Sequence, residues 1–385
     1  MSEPSAPPPG RGRIVVFGTY QAQDHPRVRV LAEGLAAHGY EILEINEPLG
    51  LSTDDRVRLL RQPWRLPLLF VHLIRCWWRL WRRGRAARGP FDAVLVGYLG
   101  HFDVHLAKWI FGKVPILLDH LIFAAGTAAD RGVSPGLRTR TLARLDRSAM
   151  KAADVIIVDT REHLEQVPVD LAERVVTCLV GADSRWFAAR QEQVEHPAGG
   201  PLRVIFFGLY TPLQGAPVIA QALTELVGRA DVQVSMVGHG QDYQACRDLV
   251  PDSAPVTWRS WVAATDLPAL VAEHDVVLGI FGTTPKAERV VPNKVYQGLA
   301  VGAGLITSDT PAQRRVLGDA VRYVPAGDAS VLADVLRALA ENPDEVERLQ
   351  RSARTLADRS FTADVIAVPL VERIAACLGR HQPHR

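Results

Sequence analysis

The chain has 385 residues, of which 48% are hydrophobic and 22% are charged. These proportions exclude disorder for the body of the chain, and the length indicates two domains. The formal net charge is only +2, and the four isolated cysteines indicate neither a disulfide framework nor a zinc site.

The first half of the chain alternates short apolar runs with helical patterns, one of which ends near Gly39. Residues 1–12 are proline-rich and lack the apolar core of a signal peptide, so we expect a flexible tail there. The apolar runs suit strands that are buried on both faces, and they predict a parallel sheet with crossover helices. They are RIVVFG (13–18), YEILEI (40–45), AVLVG (93–97), PILLD (115–119) and VIIVD (155–159).

A basic and aromatic segment, residues 61–88, interrupts this series. Between residues 56 and 90 the sequence has ten arginines and no Asp or Glu, which leaves 34 basic against 42 acidic residues elsewhere. Read as a helix from residue 68, its polar side chains recur every three or four positions, and apolar side chains cover the rest. This pattern predicts an interfacial helix on an anionic membrane surface rather than a span. The alternative is a core helix that packs its apolar side against the first domain.

The side chains expected at the membrane are Trp64, Arg75, Trp77, Trp78, Arg79, Trp81, Arg82 and Arg83.

The second half of the chain begins after a polar linker, residues 188–201, which ends in Gly-Gly-Pro. Strands are predicted at 202–208, 232–238, 276–281 and 305–308, and helices at about 217–228, 292–301 and 341–378. We therefore predict two doubly wound, Rossmann-like α/β domains, residues 13–187 and 202–362, followed by a C-terminal helix and tail at 363–385. In such folds ligands bind beyond the carboxyl ends of the strands, so we expect the site in the cleft between the domains.

The segment FFGLYTPLQG, residues 206–215, has a strand, a glycine, a short loop and a helix start. Gly208 allows a ligand to approach the backbone, and the first N–H groups of the helix suit an anion. A glycine that only ends a strand explains the segment equally well.

A stronger anion signal follows the predicted strand that ends at Gly282. Its loop carries Lys286, and Lys294 lies just inside the next helix, after Pro292. The chain has only five lysines beside 39 arginines, so two lysines in one loop suggest a site that needs a compact ammonium group. Two cations near a helix start suit a diphosphate. The alternative is a solvated loop with chance lysines.

Together these segments resemble the retaining glycosyltransferases of the GT-B fold, family 4. The resemblance also rests on VGHG (237–240), PNKVYQGLAVGAGLITSD (292–309) and VGADSRWF (180–187). It implies a C-terminal domain that holds a nucleotide-diphosphate sugar and an N-terminal domain that holds the acceptor. It implies no metal and no other cofactor.

The resemblance places donor contacts along the second domain. We expect them at Gly208, Gln214, Gly240, Gly282, Lys286, Glu288, Arg289, Asn293, Lys294 and Gln297. The acidic pair of the family falls on Arg289 and Gln297, and Glu288 could serve only with a one-residue shift. A glutamine can still bind ribose hydroxyls, although without charge-assisted bonds.

The family's phosphate-binding Arg and Lys fall on Leu209 and Gln214. We therefore expect Lys286, Arg289 and Lys294 to meet the phosphate charge.

In the first domain, Asp119 and His120 end a strand where the family keeps a polar residue near the acceptor. We expect both to be catalytic together with Lys294, although a capping Asp and a surface His explain them equally well. His101, Asp103 and His105 offer only three candidate ligands, so no metal site is predicted.

The sequence thus predicts a glycosyltransferase that acts, with retention, on a lipid-linked or membrane-proximal glycan acceptor. We expect a cytoplasmic protein, peripheral on the inner face of the cell membrane. Nucleic acid is not an expected partner, because bulky apolar residues separate the arginines. A nucleotide-sugar epimerase on the same fold and a non-catalytic partner subunit remain alternatives.

Overall fold

The computed structural model describes residues 10–21, 26–49, 66–190 and 199–381, with side chains from 71 and up to 379 in the helices at the two corresponding ends. They form two compact units. The first contains the residues up to Ala129, Ser134–Leu179 and the residues from Ala363 onward, and the second contains Asp130–Val133 and Val180–Thr362. Within the described residues, each unit holds one six-stranded parallel sheet.

The first sheet has the strand order β2-β1-β3-β4-β5-β6. Its strands are β1 Gly12–Gly18, β2 Tyr40–Asn46, β3 Ala93–Val96, β4 Ile116–Asp119, β5 Val155–Val158 and β6 Val175–Thr177. Its helices are α1 Pro26–Ala37, α2 Leu66–Ala86, α3 Asp103–Phe111, α4 Ala124–Asp130, α5 Leu137–Ala152 and α6 Arg161–Leu164. The five strands predicted in this half are confirmed.

Alternate residues of each central strand pack on opposite faces of this sheet. Ile14, Leu95 and Ile157 belong to the core cluster that includes α1 side chains. Val15 and Ile156 belong to the cluster on the other face, with side chains of α2, α3 and α5. Because helices cover both faces, these strands need apolar side chains at every position, which is the pattern that the sequence shows.

The second sheet has the strand order β12-β11-β10-β7-β8-β9. Its strands are β7 Leu202–Phe207, β8 Val232–Val237, β9 Val256–Arg259, β10 Val276–Leu278, β11 Gly304–Ser308 and β12 Arg322–Val324. Its helices are α7 Ser184–Ala189, α8 Ala216–Thr224, α9 Tyr243–Leu249, α10 Leu267–Ala272, α11 Asn293–Ala300, α12 Pro311–Leu317, α13 Ala329–Ala340 and α14 Pro343–Ser360. The prediction of two doubly wound α/β domains is confirmed.

The two units divide the chain differently from the predicted boundaries. Helix α7 lies in the second unit, where the Trp186 ring stacks on Phe207 with centroids 5.9 Å apart. The last helix, α15 Ala363–His381, returns to the first unit and shares its core with α1 through Ile366 and Leu370. Part of the predicted linker, residues 191–198, lies outside the described residues.

None of the helices in the described ranges has both the length and the apolar character needed to span a membrane.

Candidate active site

The central feature of the second unit is the buried side chain of Lys294. Helix α11 begins directly after Pro292, and Lys294 is its second residue. The residue is 4% exposed, its ammonium lies 3.6 Å from the centroid of the Phe206 ring, and Nζ has no hydrogen-bond partner among the described residues. Burial lowers the pKa of Lys294 well below its ordinary value. Because an unpaired buried charge is costly, this position favours an anionic ligand.

The Lys294 ammonium lies against the bare backbone at the carboxyl end of β7. Gly208 has φ +138°, and a Cβ built there would lie 3.3 Å from both Cε and Nζ of Lys294. Any other residue at position 208 would therefore crowd the ammonium with its side chain. Its backbone would also have to adopt a conformation that residues with a Cβ rarely adopt. The absence of a side chain leaves this end of the strand open to a ligand.

Two further glycines bring neighbouring loops onto the loop after β7. A Cβ at Gly282 would lie 2.3 Å from the carbonyl oxygen of Pro212, and one at Gly240 would lie 2.8 Å from the backbone nitrogen of Tyr210. Loops that follow β7, β8 and β10 therefore meet at the carboxyl edge of the sheet, where ligands bind in folds of this type.

The other predicted donor residues lie along these loops and along α11. Gln297 is 7% exposed, one turn after Lys294. Gln214 ends the 3₁₀ turn Pro212–Gln214, and its Oε1 atom is buried with no partner among the described residues. Asn293 and Lys286 are half-buried, whereas Glu288 and Arg289 are exposed on the 3₁₀ turn Ala287–Arg289.

In the first unit, Asp119 is the buried partner of Arg27. Arg27 Nε donates to Asp119 Oδ1 at 2.8 Å, and the guanidinium also donates to the carbonyl oxygens of Cys178 and Leu179. Burial raises the pKa of Asp119, and Arg27 opposes that rise. This ion pair joins α1 to the ends of β4 and β6, so the structure gives Asp119 an architectural partner. Its predicted catalytic role stays a prediction.

His120 follows Asp119 and is also buried. Its Nε2 atom lies 3.9 Å from Asp146 Oδ1 and has no hydrogen-bond partner among the described residues. Burial lowers the pKa of His120 to about 3, and the nearby His101 acts in the same direction. The imidazole is therefore neutral at physiological pH.

The HFDVH residues do not converge on one site. His101 is hydrogen-bonded to Asp146 at 2.8 Å, whereas Asp103 accepts hydrogen bonds from Thr19 and Trp77. His105 lies 3.3 Å from Ser148 Oγ. Within the described part of the chain, the group whose spacing could hold a metal is His101, His120 and Asp146, with ligand atoms within 4.8 Å of one another.

Helix α2 has a buried side and an exposed side. On the buried side Leu80 is fully enclosed, and the half-buried Trp77 donates from its indole N–H to Asp103 at 2.8 Å. The buried side therefore agrees with the alternative that α2 is a core helix. Trp77, which we expected at the membrane, faces inward instead. Trp64, also expected there, lies outside the described residues.

The exposed side of α2 and the neighbouring Trp109 of α3 form an apolar surface, which we call the tryptophan face: Val71, Ile74, Trp78, the half-buried Trp81, and Trp109. Ile74 is 62% and Trp78 55% exposed, and Trp109 of α3 is 70% exposed. Trp81 stacks on Trp109 with centroids 6.3 Å apart.

Exposed arginines flank the tryptophan face. Arg82 lies over Trp78 and Arg85 over Trp81, whereas Arg79 and Arg83 form ion pairs with Glu47. Arg75 is exposed as well.

Comparison with known proteins supports the predicted family. Residues 201–342 match the family model "Glycosyl transferases group 1", which confirms the predicted resemblance to glycosyltransferases. No curated protein matches the chain.

Solved structures match nearly the whole chain at low identity. Sucrose-phosphate synthase from Thermosynechococcus elongatus has 14% identity and a TM-score of 0.69, over 96% of this chain and 100% of that one. Anabaena HepE in complex with UDP-glucose has 13% identity and a TM-score of 0.63, over 96% and 100%. A glycosyltransferase from Rickettsia africae has 11% identity and a TM-score of 0.58, over 95% and 98%. These similarities confirm the GT-B fold.

Proposed function

We propose that this glycosyltransferase takes its sugar from a nucleoside-diphosphate donor and that Lys294 binds the diphosphate. The observation that carries the proposal is the buried Lys294 ammonium, which has no partner among the described residues and lies beside the bare backbone of Gly208. The Anabaena neighbour in complex with UDP-glucose supports this ligand class.

The chemistry follows from charge. As the glycosidic bond breaks, negative charge grows on the leaving diphosphate, and an ammonium already fixed in a dry site stabilises that charge without reorganisation. The first N–H groups of α11 add positive potential at the same helix start. Because protein cations supply this charge, we propose that transfer needs no metal. Gln297, one turn further along α11, would bind ribose through neutral hydrogen bonds.

We further propose that the first unit binds the acceptor near His120, that transfer proceeds with retention, and that the acceptor is a lipid-linked or membrane-proximal glycan. The tryptophan face and its flanking arginines support a membrane-proximal acceptor. Tryptophans suit the interface of a bilayer, and arginines suit anionic headgroups. The protein would then act while bound to the cytoplasmic leaflet.

Sugar transfer by Lys294 variants tests the donor proposal. Nucleotide sugars are first screened for thermal stabilisation of the protein, and transfer or donor hydrolysis is then measured with those that bind. We expect Lys294→Ala to lower kcat/KM by on the order of a hundredfold. Lys294→Arg should recover only part of that loss, because a planar guanidinium does not replace a compact ammonium.

Lys151→Ala, which removes an exposed lysine of the first unit, is the matched control and should leave kcat/KM unchanged. Unaltered transfer by folded Lys294→Ala would remove Lys294 from the site. Interconversion of the donor sugar without acceptor would identify an epimerase. Donor binding with neither transfer nor hydrolysis would favour the alternative that the protein is a non-catalytic partner subunit. The glutamine at position 297 is the observation that motivates this alternative.

A further inference from the structure

A buried polar cluster lies at the carboxyl end of the first sheet, with Asp146 at its centre. Asp146 Oδ1 is hydrogen-bonded to His101 Nε2 at 2.8 Å and to the backbone N–H of Ala124 at 2.9 Å, and Oδ2 accepts from the N–H of Ala125 at 3.3 Å. Burial opposes ionisation of Asp146, but the bonds from His101 and Ala124 outweigh it and lower the pKa of this carboxyl group. Asp146 is therefore an oriented, fixed carboxylate.

His120 faces this carboxylate through one nitrogen only. Its Nε2 atom lies 3.9 Å from Asp146 Oδ1, and the Phe123 ring packs edge-on against the imidazole with centroids 4.7 Å apart. The other titratable groups around it are His101 and His163, and His163 is itself hydrogen-bonded to Asp159. With its pKa near 3, His120 carries a single ring hydrogen, on either Nε2 or Nδ1.

The electrostatics of the cluster decide between these two tautomers. A lone pair on Nε2 would face the negative Asp146 oxygen and be repelled, whereas an N–H there is attracted. The difference is large because a buried site screens charge weakly.

We propose that Asp146, itself oriented by His101, is a positioning residue that holds His120 in the tautomer with hydrogen on Nε2. Nδ1 then carries the lone pair and accepts a hydrogen bond from a sugar hydroxyl. The assignment of that hydroxyl rests on the proposed function, but the tautomer does not. Asp146 touches no reacting atom and acts only through His120.

The tautomer can be measured without any substrate. In the full chain labelled with ¹⁵N-histidine, the His120 signals are assigned by their loss in His120→Gln. We expect a protonated Nε2 and an unprotonated Nδ1 in the wild type, and a mixture of tautomers in Asp146→Asn. His101→Gln should shift the tautomer population of His120 in the same direction. This second variant keeps the test decisive if Asp146→Asn folds poorly.

Asp154→Asn is the matched control, because Asp154 is a carboxylate of the same unit that binds Lys108 and the Ile116 N–H instead. It should leave the His120 signals unchanged. A wild-type His120 protonated on Nδ1, or an unaltered tautomer in both cluster variants, would overturn the proposal. So would stoichiometric Zn²⁺ binding that shifts the His101 and His120 signals together, since the cluster would then be a metal site.

Kinetics give the second readout. Asp146→Asn should lower kcat by about tenfold or more while the KM for the donor stays constant, because positioning is lost and donor binding is not. Adding Asp146→Asn to His120→Gln should cause no further loss. Additive losses would show that Asp146 acts independently of His120. If no transfer is found at all, the proposed function fails, and the NMR result still decides the tautomer.

Discussion

Lys294 combines two opposing demands. A ligand site needs the ammonium to be dry and already in place, but a dry ammonium without a counter-charge weakens the fold. Phe206 offers the negative face of its ring as partial compensation. Residues under such strain are typical of functional sites, because selection for stability alone would remove them.

We therefore predict that Lys294→Met makes the ligand-free protein more stable while weakening donor binding. The gain in the free energy of unfolding at neutral pH should be about 2 kcal/mol, measured by urea denaturation, since methionine fills the space without a charge.

The pH dependence checks the cause of that gain. The unfolded chain binds a proton at Lys294 that the native protein holds less tightly, so wild-type stability should rise with pH between the lowered pKa and the ordinary value of 10.5. Lys294→Met should lack this rise. A variant less stable than the wild type would contradict the assignment of Lys294 as an unpaired cation.

Some residues of the candidate site could be proposed from the sequence, and others could not. Lys294 could be proposed because lysine is rare in this chain and because the residue lies at the start of a helix that follows a strand. Asp146 and Arg27 were not predictable. Each lies on a helix with no local motif, and its partner is distant in sequence, His101 for Asp146 and Asp119 for Arg27. Only the fold brings such pairs together.

At the scale of single elements, the strands that were not predicted share one property. β6, β9 and β12 all lie at sheet edges, they have three or four residues, and most of those residues are not fully buried. Edge strands need no continuous apolar run, so their sequences lack the signal that identified the central strands.

Helix α2 shows why its pattern allowed two interpretations. A helix with a wide apolar surface can bury one side in a core and still expose apolar side chains on another. The structure shows both: Leu80 and Trp77 pack inward, and Ile74 and Trp78 are exposed. Sequence periodicity alone did not separate the buried side of α2 from its exposed side. Trp109 belongs to another helix, so the sequence did not predict that it would stack on Trp81.

We predict that the tryptophan face binds anionic vesicles. Trp78→Ala with Trp109→Ala, and separately Arg75→Glu with Arg82→Glu, should each lower co-sedimentation with vesicles that contain anionic lipid, by about tenfold for the charge-reversed pair. Arg351→Glu with Arg359→Glu, two exposed arginines of the second unit, controls for net charge. Equal binding by all four proteins, or binding by none, would rule out this surface as the membrane contact.

At the scale of the whole molecule, the alternation of strands and helices predicted both units, because buried parallel strands have an unmistakable composition. The unit to which the last helix belongs was harder to predict from the sequence. The apolar side of α15 could cover either sheet, and only the packing of Ile366 and Leu370 with the α1 cluster shows that it belongs to the first unit. The charge distribution also belongs to this scale, since the segment around α2 is strongly basic and the remainder of the chain has a negative formal charge.

The central claim, that the diphosphate of the donor neutralises a buried Lys294, is tested most directly by proton uptake. UDP-glucose has no group that titrates near neutral pH, so any protons that binding takes up from the buffer go to the protein. We predict that isothermal titration calorimetry at mildly alkaline pH, in buffers of different ionisation enthalpy, shows proton uptake when wild-type protein binds UDP-glucose. The bound diphosphate restores the lowered pKa of Lys294 toward its ordinary value. UDP-glucose binding without proton uptake, or with equal uptake in wild type and Lys294→Met, would contradict the account.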